Sequence, residues 1–143
     1  MSTVTVLIST YNGEKYLSEQ IESIIRQKGV NVNIFVRDDG STDKTQELLE
    51  QFQNKGILQW YTGKNLRSAR SFLDLVTHAP KSDYYAFCDQ DDVWNSDKLY
   101  RATSKLESVC GESIPKLYCS NYQLVDSQLK DLPDNRSEEH TSE

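Results

Sequence analysis

Three aspartates follow an apolar stretch in the second half of the chain. The run "YYAFC" is followed directly by Asp89, and Asp91 and Asp92 come after Gln90. Like charges this close repel, and burying them is costly unless a cation or a proton offsets the charge. Asp89 and Asp91 are spaced i, i+2 where a strand becomes a loop, so their carboxylates can share one ion. Oxygen ligands with no neighbouring His or Cys favour Mg²⁺ or Mn²⁺ over Zn²⁺.

Two carboxylates leave most coordination positions of such an ion open. That suits an ion that also binds a diphosphate and neutralises the charge on a departing nucleoside diphosphate. The alternative is that the aspartates only form a turn. Trp94, which closes the stretch, either packs beneath this acidic loop or stacks on a ligand.

A second acidic pair, Asp38 and Asp39, follows the run "VNVNIFVR". The carboxylate of Asp39 is a candidate acceptor for an N–H group of a nucleobase. For Asp38, the same role competes with an Asx turn that leads into a helix. Earlier in the chain, "TYN" could stack on a base and bond to it or to ribose, or could only form a turn; its residues are Thr10, Tyr11 and Asn12.

One cation is well placed to contact a phosphate. Arg70 falls on the first turns of a predicted helix that follows the loop "GKN", although a solvated helical arginine is the alternative. Asn65 in that loop is expected either to order the loop or to contact ribose. The sequence contains neither standard glycine-rich phosphate loop.

Apolar, β-branched runs alternate with segments of helical periodicity along most of the chain. Strands are predicted over 4–9, 30–37, 57–62, 83–89 and 116–126, and helices over 14–28, 43–52, 68–79 and 96–109. Ser41 or Thr42 is expected to cap the second helix. This alternation predicts an α/β fold, a mostly parallel sheet with helices on both faces. Each polar cluster then follows a strand, at the sheet edge where such folds bind ligands.

The composition excludes several functional classes. A length of 143 residues suits about one domain. With a net charge of −6 and no long Lys/Arg run, nucleic acid is not an expected partner. No apolar stretch is long enough to span a bilayer. The three cysteines are odd in number and lack CxxC spacing, which favours a reduced, cytoplasmic setting over disulfides or zinc.

Four motifs in this order resemble those of the GT-A glycosyltransferases of family 2, and most closely its rhamnosyltransferase-like, polysaccharide-biosynthesis branch. They are "ISTYNGEKYLSEQIESI", "VRDDGSTDKT", "GKN…SARSF" and "FCDQDDVW". The resemblance implies a Rossmann-like GT-A fold, a UDP- or dTDP-sugar donor and Mn²⁺ or Mg²⁺. It also implies inverting transfer to a saccharide or lipid-linked saccharide, on the cytoplasmic side and with peripheral contact at the inner face of the membrane.

The resemblance also implies roles by position. The residues Thr10, Tyr11 and Asn12 match the first nucleotide-binding motif, Asp39 the base-binding aspartate, and Arg70 a basic residue near the donor. The triplet Asp89-Gln90-Asp91 matches the DXD motif; Asp91 is the expected direct metal ligand, with Asp89 nearer the ribose and the metal shell. Two positions depart from the pattern: Ser9 stands where many members have Pro, and Arg67 where a Gly is common.

The family's general base normally lies well downstream of the DXD motif. It is therefore expected beyond the end of this chain, and its identity is unknown. Residues 1–135 are expected to form an incomplete nucleotide-sugar-binding domain, truncated at its C-terminal end. Residues 136–143, "RSEEHTSE", resemble a translated sequencing adapter and are expected to be non-native. The expectation for such a chain is weak donor binding and little or no transfer.

Two other functions remain open. "AFCDQDDV" also fits the nucleophile motif of haloacid-dehalogenase-type phosphohydrolases, in which the first aspartate attacks phosphorus. That motif normally belongs to the first strand, whereas here it would close the fourth. The second alternative is a non-catalytic remnant that binds a donor without transferring it.

Overall fold

The computed structural model describes residues 1–90, 92–109, 117–119 and 140–142. The chain divides into two compact units, Met1–Tyr100 and Arg101–Glu143. The first unit contains all the predicted site residues that the structure describes.

The first unit is built on a parallel four-stranded sheet of order β3-β2-β1-β4. Its strands are β1 (Thr3–Thr10), β2 (Asn31–Asp38), β3 (Gln59–Thr62) and β4 (Tyr84–Cys88). The helices within the described residues are α1 (Leu17–Ile25), α2 (Thr45–Asn54), α3 (Arg67–His78) and α4 (Lys98–Glu107). The predicted parallel α/β fold is therefore confirmed, and each helix lies within a few residues of its predicted span.

Alternate residues of β1 face opposite sides of the sheet, and both sides are buried. Val6 and Ile8 pack in the main core with Ile21 of α1 and with Leu49 of α2. On the other side, the hydroxyl of Ser9 donates to that of Ser71 on α3 at 2.6 Å. Burial on both faces explains why β1 is a continuous apolar run rather than an alternating one.

The strand order reverses at β1. The chain moves from β1 outward to β2 and β3, then returns through α3 to place β4 on the free side of β1. Right-handed crossovers put α3 on the face opposite α1 and α2. A crevice opens at such a switch point, outside the carboxyl ends of the strands, and it is the usual ligand site in open α/β sheets.

The prediction that Ser41 or Thr42 caps the second helix is wrong. Helix α2 begins at Thr45, and no side chain bonds to its N-terminal amides from the capping position. The two predicted capping residues instead bond to the loop after β1. The Oγ of Ser41 accepts from the main-chain nitrogen of Asn12 at 2.8 Å, and the nitrogen of Thr42 donates to Oδ1 of Asn12 at 2.8 Å.

In the second unit, β5 (Leu117–Cys119) and β6 (His140–Ser142) form an antiparallel pair. The rest of the strand predicted over 116–126 lies outside the described residues. Strand β6 falls within 136–143, where no element was predicted. Of the helices that the structure describes, none combines the length and the apolar character needed to cross a bilayer.

Candidate functional site

A cavity of about 290 Å³ opens at the carboxyl ends of β1, β2 and β4. Four predicted site residues line it: Tyr11, Asp39, Asp89 and Gln90. The cavity wall also includes residues of the loop before α3 and of the helix itself, among them Asn65, Arg67, Ser68 and Phe72. The parallel sheet thus brings together side chains from three separate polar clusters.

Gln90 joins the acidic loop to the end of β1. Its Oε1 accepts from the main-chain nitrogen of Tyr11 at 2.7 Å and from Oγ1 of Thr10 at 3.5 Å. The side chain of Gln20, buried on α1, donates from Nε2 to the main-chain oxygen of Asp89 at 2.5 Å. These contacts fix where the chain leaves β4, and leave the ring of Tyr11 exposed at the cavity.

Thr10 and Asn12 are not among the cavity-lining residues. Thr10 is buried at the end of β1, and Asn12 has a left-handed backbone with φ +48°. The Oδ1 of Asn12 accepts from Thr42, so this side chain connects the two loops that follow β1 and β2. The contacts of both residues shape the loop that carries Tyr11.

Asp39 is buried at the cavity wall and its carboxylate has several donors. Its Oδ1 accepts from Nη1 of Arg37 and from the main-chain nitrogen of Leu66, the latter at 3.0 Å. Its Oδ2 accepts from the main-chain nitrogen of Arg67 at 3.0 Å. Asp39 therefore holds the start of α3 against the end of β2.

The neighbouring Asp38 forms the turn that was the alternative to a ligand role. Its Oδ2 accepts from the main-chain nitrogens of Gly40 and Ser41 at 3.2 and 2.9 Å, and from the side chain of Gln46 at 2.8 Å. Its side chain is fully buried and does not line the cavity. The structure thus assigns Asp38 to the Asx turn after β2.

Arg37 stands in the second motif, "VRDDGSTDKT", but no role was predicted for it. Its guanidinium is buried and donates to Asp39, to Asp74 and to the main-chain oxygen of Lys64. The hydroxyl of Tyr61 also donates to Asp74, and this hydrogen bond is the main cause that lowers the pKa of Asp74 below its usual value of 3.8. One signal in the sequence could have identified Arg37: it is a charged residue between an apolar strand and two aspartates.

The arginine that lines the cavity is not the predicted one. Arg70 is exposed on α3 and does not line the cavity, whereas Arg67, at the start of that helix, does. Arg67 has a left-handed backbone with φ +65°. Glycine adopts this conformation without steric cost, which gives a physical reason for the Gly that is common at this position in the resembling family.

The acidic loop is described at Asp89 and Gln90, while Asp91 lies outside the described residues. Within the described part of the chain, the carboxylate of Asp89 is exposed at the cavity and makes no hydrogen bond or ion pair, and no group of three or more His, Cys, Asp or Glu is placed to hold a metal. Carboxylate oxygens are the ligands that Mg²⁺ and Mn²⁺ prefer in proteins. The exposed carboxylate of Asp89 therefore has the right chemistry to bind such an ion.

Cys88 and Trp94 lie next to this loop but belong to the core. Burial raises the pKa of the Cys88 thiol to about 12, so the thiol stays protonated at neutral pH. Trp94 is buried, and its main-chain nitrogen donates to the hydroxyl of Ser23 at 3.1 Å. Trp94 therefore packs in the core, and neither it nor Cys88 lines the cavity.

Similar proteins were found by sequence. The chain is 40% identical over 105 residues to the dTDP-rhamnosyl transferase RfbG of Shigella flexneri, covering 66% of this chain and 35% of that protein. It is 25% identical over 124 residues to the UDP-Glc:alpha-D-GlcNAc-diphosphoundecaprenol beta-1,3-glucosyltransferase WfgD of Escherichia coli, covering 87% and 47%. The chain thus spans less than half the length of these curated relatives.

Solved structures share the fold. S. aureus TarS in complex with UDP-GlcNAc matches with a TM-score of 0.63 at 25% identity, over 79% of this chain and 37% of that one. The mannosyltransferase PcManGT from Pyrobaculum calidifontis, in complex with GDP-Man and Mn²⁺, matches with a TM-score of 0.66 at 23% identity, over 81% and 34%.

The family model described as glycosyl transferase family 2 matches residues 5–132. The match begins in β1 and includes the ends of β1, β2 and β4 that line the cavity. It covers most of the chain. On this evidence, the chain belongs to glycosyl transferase family 2.

Proposed function

We propose that this chain is the donor-binding part of a glycosyltransferase that transfers a sugar from a nucleotide-diphospho-sugar to a saccharide acceptor. The observation that carries the proposal is the cavity that brings Tyr11, Asp39, Asp89 and Gln90 together at the switch point of the sheet. This cavity contains groups suited to bind a base, a diphosphate and a divalent ion. Family membership supports the same reaction class.

The base binds on the Asp39 side of the cavity in this proposal. The Oδ2 of Asp39 accepts a base N–H group, and the exposed ring of Tyr11 packs against the base. The loop contacts of Thr10 and Asn12 hold Tyr11 in place. The donors in the names of two relatives, dTDP for RfbG and UDP for WfgD, support a uridine or deoxythymidine nucleotide.

The diphosphate lies between the acidic loop and the start of α3. Asp91, with Asp89 beside it, would hold Mn²⁺ or Mg²⁺, and Arg67 or Arg70 would contact phosphate oxygens. The bound ion supplies positive charge that stabilises the departing nucleoside diphosphate. Gln90 keeps the acidic loop in register with the end of β1.

The transfer proceeds by direct displacement and inverts the configuration at the anomeric carbon. No residue of this chain is assigned as general base. The acceptor is a saccharide or lipid-linked saccharide of surface polysaccharide synthesis, a class that the name of WfgD supports. Such an acceptor places the reaction on the cytoplasmic side, at the inner face of the membrane.

The test is a thermal-unfolding scan with UDP and with dTDP, each with and without Mn²⁺. A ligand at about 100 times its Kd adds roughly 2.7 kcal/mol of stability. We expect a shift that needs nucleotide and Mn²⁺ together and that is lost in Asp91→Asn. The control Asp97→Asn changes an exposed carboxylate outside the cavity and should keep the ligand-dependent shift. A clean transition that neither nucleotide shifts would contradict the proposal.

The two alternatives make different predictions. A phosphohydrolase would release p-nitrophenol from p-nitrophenyl phosphate and lose this activity in Asp89→Asn. Family membership and the position of Asp89 after β4 both argue against it. A remnant would bind nucleotide and Mn²⁺ while a longer protein that contains this chain fails to transfer sugar.

A further inference from the structure

Arg37 forms the centre of a buried ionic network behind the cavity. Its side chain is 4% exposed and its Nε donates to Oδ2 of Asp74 at 3.0 Å. Its Nη1 donates to Oδ1 of Asp39, and its Nη2 to the main-chain oxygen of Lys64 at 3.1 Å. The guanidinium is therefore held from three sides and cannot rotate away from Asp39 without losing other bonds.

This network determines how much of Asp39 a ligand can use. An ionised carboxylate has about four acceptor positions, two on each oxygen. On Oδ1, both are taken by Arg37 and the nitrogen of Leu66. On Oδ2, one is taken by the nitrogen of Arg67. One acceptor position remains, and it belongs to the oxygen that Arg37 does not contact.

Nucleobases differ in the donors that they present to a carboxylate. Uracil and thymine each carry one imide N–H between two carbonyl groups. Guanine presents two adjacent donors, from N1 and N2, which pair best with both oxygens of a carboxylate. A site with one free oxygen satisfies the imide but leaves one guanine donor unpaired on burial, which is unfavourable.

We propose that Arg37 is a positioning residue that commits Asp39 to a single base N–H, so that the site takes a uracil or thymine nucleotide and rejects guanine. This inference rests on the proposed function, because it takes Asp39 as the base acceptor. It adds a determinant of base selectivity that does not itself touch the base. Arg37 also supplies the charge that keeps the buried carboxylate of Asp39 compensated.

The first test uses the wild-type chain and isothermal titration with UDP, dTDP, GDP and N3-methyluridine diphosphate, all with Mn²⁺. We expect UDP and dTDP to bind about tenfold or more tighter than GDP, because one guanine donor would be buried unpaired. The N3-methyl analogue should lose a similar factor, since its imide donor is blocked. GDP binding as tight as UDP, or an N3-methyl analogue that binds normally, would overturn the inference.

The second test changes Arg37 and measures the ratio of UDP to GDP affinity. In Arg37→Met, Oδ1 of Asp39 becomes available, and we expect the ratio to fall about tenfold. Arg37→Lys keeps the charge but not the fork that contacts Asp39, Asp74 and Lys64 together, so its ratio should fall in the same direction. The matched control Arg26→Met removes an exposed arginine from the end of α1, and its ratio should be unchanged.

A purely structural role for Arg37 has a different signature. Both affinities would then fall together, with the ratio unchanged, and the inference would be overturned. If Arg37→Met does not fold, the ratio in Arg37→Lys decides by the same criterion. The failure of the wild type to bind any of the diphosphates would instead overturn the proposed function, whereas binding without base preference overturns only the positioning role of Arg37.

Discussion

Oε1 of Gln90 lies 2.7 Å from the main-chain nitrogen of Tyr11 and accepts a hydrogen bond from it. The two residues are far apart in sequence and stand at the ends of β4 and β1, which are paired in parallel. The bond joins the loop after β1 to the acidic loop, at a cavity that Tyr11 and Asp89 both line. It is a direct link between the proposed base and metal sides of the site.

Removing this acceptor should weaken nucleotide binding. Gln90→Met keeps the size of the side chain but loses the hydrogen bond to Tyr11. We expect this loss to weaken the binding of dTDP with Mn²⁺ by about 1 kcal/mol, which is roughly a fivefold higher Kd. Isothermal titration measures this directly. Gln51→Met, on the exposed face of α2, is the matched control and should bind as the wild type does. An unchanged Kd in Gln90→Met would show that the bond does not organise the site.

Two substitutions of Arg67 can separate the strain of its backbone from the function of its side chain. Its φ of +65° is held by hydrogen bonds from its nitrogen to Asp39 at 3.0 Å and to Asn65 at 2.9 Å. Because a side chain in this conformation is strained, Arg67→Gly should be about 0.5–1 kcal/mol more stable than Arg67→Ala in urea unfolding.

The two Arg67 variants lack the same guanidinium and should bind nucleotide equally weakly, because both lose the cation that lines the cavity. Arg67→Ala thus serves as the control for Arg67→Gly. Equal stability of the two variants would contradict the strain argument, and wild-type affinity in both would remove Arg67 from the phosphate site.

Gly63 gives Arg37 the space that it occupies. A Cβ built at Gly63 would lie 2.5 Å from Nη2 of Arg37, which is fixed by its other contacts. We expect Gly63→Ala to cost about 1–3 kcal/mol of unfolding free energy and to weaken nucleotide binding, because Asp39 shifts with Arg37.

The control for Gly63 is Gly56→Ala, where φ is +75° and no atom lies within 4 Å of the added Cβ. Its cost should be about 1 kcal/mol from the backbone alone, with nucleotide affinity unchanged. Chemical denaturation and titration of both variants make the comparison. A Gly63→Ala chain that binds normally would show that the guanidinium can move without disturbing Asp39.

The sequence was sufficient to predict the sheet and the clusters at its edge, because hydrophobic periodicity and turn residues are local signals. It was not sufficient for the contacts between clusters. The bond from Arg37 to Asp74 joins β2 to α3 across 37 positions, and no local pattern specifies it. The same limit explains the capping error: Ser41 has the right type for a cap, but Asn12, from another loop, takes it as a partner.

Asp74 makes the stability of the network depend on pH in a defined direction. The hydroxyl of Tyr61 donates to its carboxylate at 2.5 Å, and this bond, with the guanidinium of Arg37, holds the pKa of Asp74 below its usual value of 3.8. A carboxyl whose pKa is lower in the folded state stabilises the fold above its unfolded pKa, about 3.9. That contribution is lost as the pH falls from about 4 through the folded pKa.

Tyr61→Phe removes the largest cause of this shift and should therefore raise the pKa of Asp74 toward 3.8, as read from carboxyl-carbon NMR titration. Urea unfolding between about pH 7 and pH 3 gives the matching energetic test. Asp74→Asn should be less stable than the wild type at neutral pH, and the gap should narrow below about pH 4, where the wild type loses its own contribution. The control Asp97→Asn changes a carboxylate outside the network and should follow the wild-type curve. A gap between Asp74→Asn and the wild type that stays constant across this range would mean that Asp74 acts through packing and not through its charge.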